Sequence, residues 1–153
     1  MLVLLLSLGA AAAVAAPSAA APAGQAAAQC PASPASLPPD LSGWRNRPAR
    51  NGQMQPGRPR DLTLAPVREP DPGYAGEAPL IITRAGTYRI VLSDRAWLDV
   101  LKGDAALSSD GHAHGPPCSG IRKIVTFQLV PGTYRVRVSR SPVAQVRIML
   151  AAD

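Results

Sequence analysis

One short segment occurs twice in this chain, and no other feature constrains the fold as much. Ile81 to Ser93 aligns without gaps on Phe127 to Ser139, with Gly, Thr, Tyr, Arg and Ser identical at five positions. Each copy reads as an apolar strand, a turn written Ala85-Gly86 or Pro131-Gly132, and a second strand. In Tyr134-Arg135-Val136-Arg137-Val138 the apolar and charged residues alternate, giving one dry face and one wet face. The turn glycine is free to adopt the positive φ of a tight hairpin. Trp97 to Leu101 and Val143 to Arg147 follow the two copies at matching places and read as a third strand in each.

Other β-like segments are Leu62-Thr63-Leu64, Pro79–Arg84, Thr87–Leu92, Ala96–Leu101, Arg122–Leu129, Thr133–Ser139 and Val143–Leu150. Turn residues recur between them at short spacing, and no helix of ordinary length appears outside the N-terminus. These features predict an all-β domain over residues 61–153: an antiparallel β-sandwich or jelly roll of about seven or eight strands, built from two similar β-meanders. The arginines Arg89, Arg135, Arg137 and Arg147 fall on its wet face.

Residues 1–28 carry no charged side chain and begin with an apolar run, Leu2 to Leu8, interrupted by Ser7. Small residues then supply cleavage positions after Ala16 or Ala28, so this stretch reads as a signal peptide. Its start, Met1-Leu2-Val3, lacks the usual basic residue. A transmembrane anchor needs roughly 20 apolar residues, and Pro17, Ser18 and Pro22 interrupt before that length. The mature chain is thus expected to have no transmembrane span and to be periplasmic or secreted. About 124 residues remain, enough for one core.

Residues 29–60 are rich in Pro, Gly, Ser and Arg, and read either as an extended arm docking Trp44 on the domain or as a loose linker. The chain has two cysteines, Cys30 and Cys118, and an even count in an exported chain reads first as a disulfide. There are 16 Lys plus Arg against 10 Asp plus Glu, and fourteen of the sixteen are Arg. Such a balance suits an anionic envelope component or a protein partner, and export argues against nucleic acid.

Titratable groups gather most tightly around both histidines, His112 and His114. On a strand, an i, i+2 pair shares one face, an arrangement suited to chelating Zn, Cu or Fe, with Asp110 or Cys118 as a third ligand. The competing reading is a plain connecting loop, because Asp110-Gly111 and Gly115-Pro116-Pro117 are turn chemistry. Just downstream, Arg122 and Lys123 follow a glycine turn whose backbone amides would suit a phosphate or carboxylate. Ser119 has no nucleophile motif around it, and no catalytic residue stands out.

Two resemblances rest on these residues. The strand, Ala/Pro-Gly-Thr-Tyr, strand pattern over Pro79 to Leu150 resembles bacterial pre-peptidase C-terminal domains, secreted β-sandwich modules. That resemblance implies a binding or accessory role without catalytic residues. Ala113 to Lys123 resembles a stretch of small exported bacterial proteins of unknown role, some labelled homogentisate 1,2-dioxygenase. The label would imply a metal-dependent oxygenase using His112 and His114. The expectation is therefore a non-enzymatic exported binding or accessory protein that needs no cofactor, with a metal-binding protein as the alternative.

Overall fold

The computed structural model describes residues 30, 36–49, 52–68 and 72–152. The signal peptide expected over residues 1–28 lies outside the described residues. Ten strands follow a 3₁₀ helix, Pro39–Arg45: β1 Arg60–Thr63, β2 Ala65–Val67, β3 Gly73–Ile82, β4 Gly86–Leu92, β5 Trp97–Lys102, β6 Ala105–Ala106, β7 Gly111–Ala113, β8 Lys123–Leu129, β9 Gly132–Ser141 and β10 Gln145–Ala152. They form two five-stranded sheets, ordered β1-β10-β4-β8-β7 and β2-β3-β9-β5-β6. Every pair of named strands is antiparallel. The architecture is the expected all-β sandwich.

The connectivity differs from the expected pair of meanders. β3 and β4 lie in different sheets, and so do β8 and β9. Each repeat is therefore an arch that crosses the sandwich, and the two copies interlock: β3 pairs with β9, and β4 pairs with β8. Their third strands complete the exchange, β5 on β9 and β10 on β4. The repeat tyrosines explain the crossing. Tyr88 Oη donates to the Arg84 carbonyl at 2.9 Å, and Tyr134 Oη donates to the Val130 carbonyl at 2.8 Å. Each hydroxyl thus ties the start of its strand to the preceding bend, forming a tyrosine corner. Gly132 takes the expected positive φ, 159°, a conformation that favours glycine, whereas Gly86 is not at positive φ.

The ungapped alignment is also one residue out of step on the first strand. It sets Ile81 against Phe127, yet Ile81 is 40% exposed and Phe127 is 1% exposed. Leu80 and Ile82 are the inward residues, matching Phe127 and Leu129, so the first arch holds one extra residue.

Inward residues from both sheets, among them Leu80, Ile90, Leu92, Phe127, Val136, Ile148 and Leu150, make the main core. A second cluster lies on the opposite face of the β10-β4-β8 sheet, where Leu41 and Trp44 of the 3₁₀ helix pack on Val91, Ile121, Ile124, Met149 and Ala151. This sheet is buried on both faces. That accounts for the continuous apolar runs Ile90-Val91-Leu92 and Ile148-Met149-Leu150, which alternation alone would not produce.

The Pro- and Arg-rich segment is thus a docked arm. Trp44 is 4% exposed, and Asp40 pairs with Arg89 of β4 at 2.7 Å. Farther along, Met54 bridges Leu80 in one sheet, while Pro56 bridges Leu150 in the other. Gly43 lies so close to Gly57 that an added methyl group would collide with the Gly57 backbone. The disulfide Cys30–Cys118 closes the arm onto the domain, with Cα atoms 5.4 Å apart.

Candidate functional site

The two tyrosine corners occupy one end of the sandwich, and the candidate site occupies the other. β4 runs from Gly86, paired with Leu129, to Leu92, paired with Lys123. At about 3.3 Å per residue this separates the ends by about 20 Å. At the far end the chain crosses between sheets through Ser93–Ala96, and β8 begins at Lys123 after the long loop from Ala113. The crossover is pinned where the Ser93 amide donates to the Arg147 carbonyl and the Arg147 amide donates to Ser93 Oγ. The loop is held alongside it by the Arg122 amide, which donates to the Leu92 carbonyl at 2.8 Å. Arg95 and Arg122 are thereby brought to one cleft.

The arm fixes the outer wall of that cleft. Trp44 Nε1 donates to the Ser119 carbonyl at 3.2 Å, Ile121 packs in the Trp44 cluster, and Cys118 is bonded to Cys30. Cys118 is held at φ 60°, a left-handed conformation that a residue with a Cβ seldom adopts. Gly115 approaches Ile121 so closely that no side chain fits between them.

The resulting cleft, of about 620 Å³, is lined by Cys30, Arg95, His114, Gly115, Pro116, Pro117, Cys118, Gly120, Ile121 and Arg122. Arg95, His114 and Arg122 also border a hollow of about 220 Å³ together with His112, Ala113 and Lys123. A third hollow, of about 200 Å³, is bounded by Trp97, Leu98, Ser109, His112, Lys123 and Val125. None of the lining residues is a carboxylate. Among the described residues, neither Arg95 nor Arg122 has a carboxylate partner for its guanidinium. On the outer face of the other sheet, by contrast, Glu77 joins Arg135 at 3.1 Å and Arg137 at 2.8 Å.

Lys123 occupies the junction between two hollows. Its Nζ donates to the Ala96 carbonyl at 2.8 Å and lies 5.3 Å from the centre of the Trp97 ring. Burial pushes its pKa down, and nearby Asp99 opposes the shift. Trp97 is 53% exposed, its Nε1 donates to Asp99 Oδ1 at 3.1 Å, and the Arg140 guanidinium stands 5.8 Å from its ring centre.

The structure brings some of the sequence-derived candidates together and separates others. His112 lies on edge strand β7, opposite Val125, and shares a hollow with His114, as an i, i+2 pair should. His114 Nδ1 is 3.1 Å from the Arg122 carbonyl. Asp110 borders none of the three hollows, and Cys118 is committed to the disulfide. Among the described residues no group of three or more His, Cys, Asp or Glu side chains gathers as metal ligands would. The expected set His112, His114 and Asp110 is therefore not assembled. Three cations share the imidazoles' hollow instead, an electrostatic setting that repels a divalent ion.

Arg122 and Lys123 do face the cleft system, and three amides of the turn before and at Arg122 are already bonded within the protein. The Ser119 amide is spent on the Pro116 carbonyl, the Ile121 amide on Ser119 Oγ, and the Arg122 amide on Leu92. An anion here would be held chiefly by side chains. Arg95 and Trp97 were not singled out by sequence reasoning, because only the crossover between sheets sets them beside the β8 loop.

The chain matches no family model, no curated protein and no solved structure. Among the described residues no helix is long and apolar enough to cross a membrane.

Proposed function

We propose that this chain is an exported, non-enzymatic β-sandwich binding module of the cell envelope, and that its cleft captures an anionic group. The observation that carries this reading is the convergence of Arg95 and Arg122, both without a carboxylate partner among the described residues, in a cleft that no carboxylate lines. Guanidinium groups form bidentate, charge-assisted hydrogen bonds to carboxylate and phosphate, and are worth most where an anion replaces water rather than a standing ion pair. The disulfide supports export, since such bonds persist in oxidising compartments. The anchoring of the cleft wall by arm, disulfide and Trp44 supports binding over a mobile connector, because a pre-formed site loses less entropy on association.

The test is isothermal titration of the purified protein with inorganic phosphate and with galacturonate at low salt. Arg95→Ala and Arg122→Ala should each weaken binding about tenfold, equivalent to about 1.4 kcal/mol, whereas Arg137→Ala on the opposite sheet should not. Equal losses from all three variants would show that only general charge is being read.

A further inference from the structure

We infer that the three hollows act as one trough whose ligand is an acidic polysaccharide, a chain of sugars bearing repeated carboxylates; this rests on the anion-capture reading above. Continuity follows from shared walls. The disulfide-lined cleft and the middle hollow share Arg95, His114 and Arg122, and the middle hollow shares His112 and Lys123 with the one beneath Trp97.

The two outermost hollows have no lining residue in common. A single small anion therefore fills one hollow only, whereas a polymer with spaced negative charges runs from the disulfide-lined cleft, past the middle hollow where Arg95, Arg122 and Lys123 meet, to the hollow beneath Trp97. The partly desolvated ammonium of Lys123 gains from such a charge, because burial disfavours its charged form and Asp99 only partly offsets this. Trp97, 53% exposed at the rim with Lys123 and Arg140 beside its ring, leaves part of the ring open to the C–H face of a sugar. A lipid bilayer fits the shape poorly, since a flat surface of headgroups cannot enter a concave trough walled by Pro116 and Pro117.

The experiment titrates the full-length mature protein with galacturonate monomer, pentagalacturonate, neutral maltopentaose and phosphatidylglycerol vesicles. Near-UV circular dichroism monitors folding of each variant. Joining charges on one chain raises affinity by an effective-concentration effect, so the pentamer should bind about 100-fold more tightly than the monomer. Trp97→Ala and Lys123→Gln should each weaken pentamer binding about tenfold, and by more than they weaken monomer binding, so that the ratio between the two falls. Maltopentaose should not bind. If monomer binds through Arg95 and Arg122 but the pentamer binds no better, the extended trough is refuted and the anion cleft stands. If neither uronate nor phosphate binds, both readings fail. Tighter binding to the vesicles than to pentagalacturonate would overturn the polysaccharide assignment.

Discussion

Replacing Cys30 and Cys118 together by Ser should lower stability substantially while leaving the native structure in place. The bridged residues are 88 positions apart, and closing a loop of that length removes about 4.6 kcal/mol of conformational freedom from the unfolded chain in the loop-entropy account. Some of this is offset, because breaking the bond allows Cys118 to leave its φ of 60°, a conformation costing about 1 kcal/mol. A net loss of about 3 to 4 kcal/mol is expected, or a fall in Tm of about 10 to 20 °C for a domain of this size. The native arm should stay docked, because Trp44 and Leu41 are buried and Asp40 is paired with Arg89 independently of the bridge. Urea denaturation read by tryptophan fluorescence gives the stability, and the native baseline reports Trp44. Wild-type protein in reductant should behave like the double variant. A loss below about 1 kcal/mol, or a native spectrum showing Trp44 exposed, would refute the separation of arm docking from bridge stabilisation.

Three further outcomes follow from particular contacts. Trp44→Ala should cost about 3 to 5 kcal/mol, the range for emptying a buried tryptophan site, and should weaken phosphate binding through the loosened Ser119 wall; urea midpoints and titration read the two effects. Tyr88→Phe and Tyr134→Phe should each cost about 1 kcal/mol, the worth of one buried hydroxyl bond, and leave anion binding intact because the corners lie at the opposite end. Glu77 is held below the ordinary carboxyl range, chiefly by the Arg137 hydrogen bond, against opposing desolvation. A depressed carboxyl pKa contributes stability above its unfolded value and loses it as pH falls through the folded one. Glu77→Gln should therefore cost up to about 1 kcal/mol at neutral pH, discounted for exposure, and the two stability curves should converge in acid.

The readable part of the fold was the part with strict periodicity. β4, β8 and β9 lie within a residue or two of where alternation and apolar runs set them. β3 begins at Gly73, well before the expected Pro79, because Gly73, Gly76 and Pro79 resemble breakers although they occupy the strand. β7 is three residues of a Gly- and His-containing loop with no buried position, so nothing in its composition marks a strand. Arch and hairpin share the same turn residues. What separates them here is the tyrosine two places after the glycine, whose hydroxyl closes the corner.

The site divides in the same way. His112, His114, Arg122 and Lys123 are near neighbours in sequence, and the structure keeps them together. Their chemical sense depends on Arg95, which no local pattern distinguishes from the other arginines. It turns a set of metal-ligand candidates into a cationic cleft.

The most direct test of that cleft is an amide NMR titration of the uniformly ¹⁵N-labelled protein with inorganic phosphate. The account predicts shift changes concentrated at Arg95 and over Gly115 to Lys123, with the Arg135 and Arg137 amides on the far sheet unmoved. Changes spread evenly over the arginine-bearing strands, or none near Arg95 and Arg122, would contradict it.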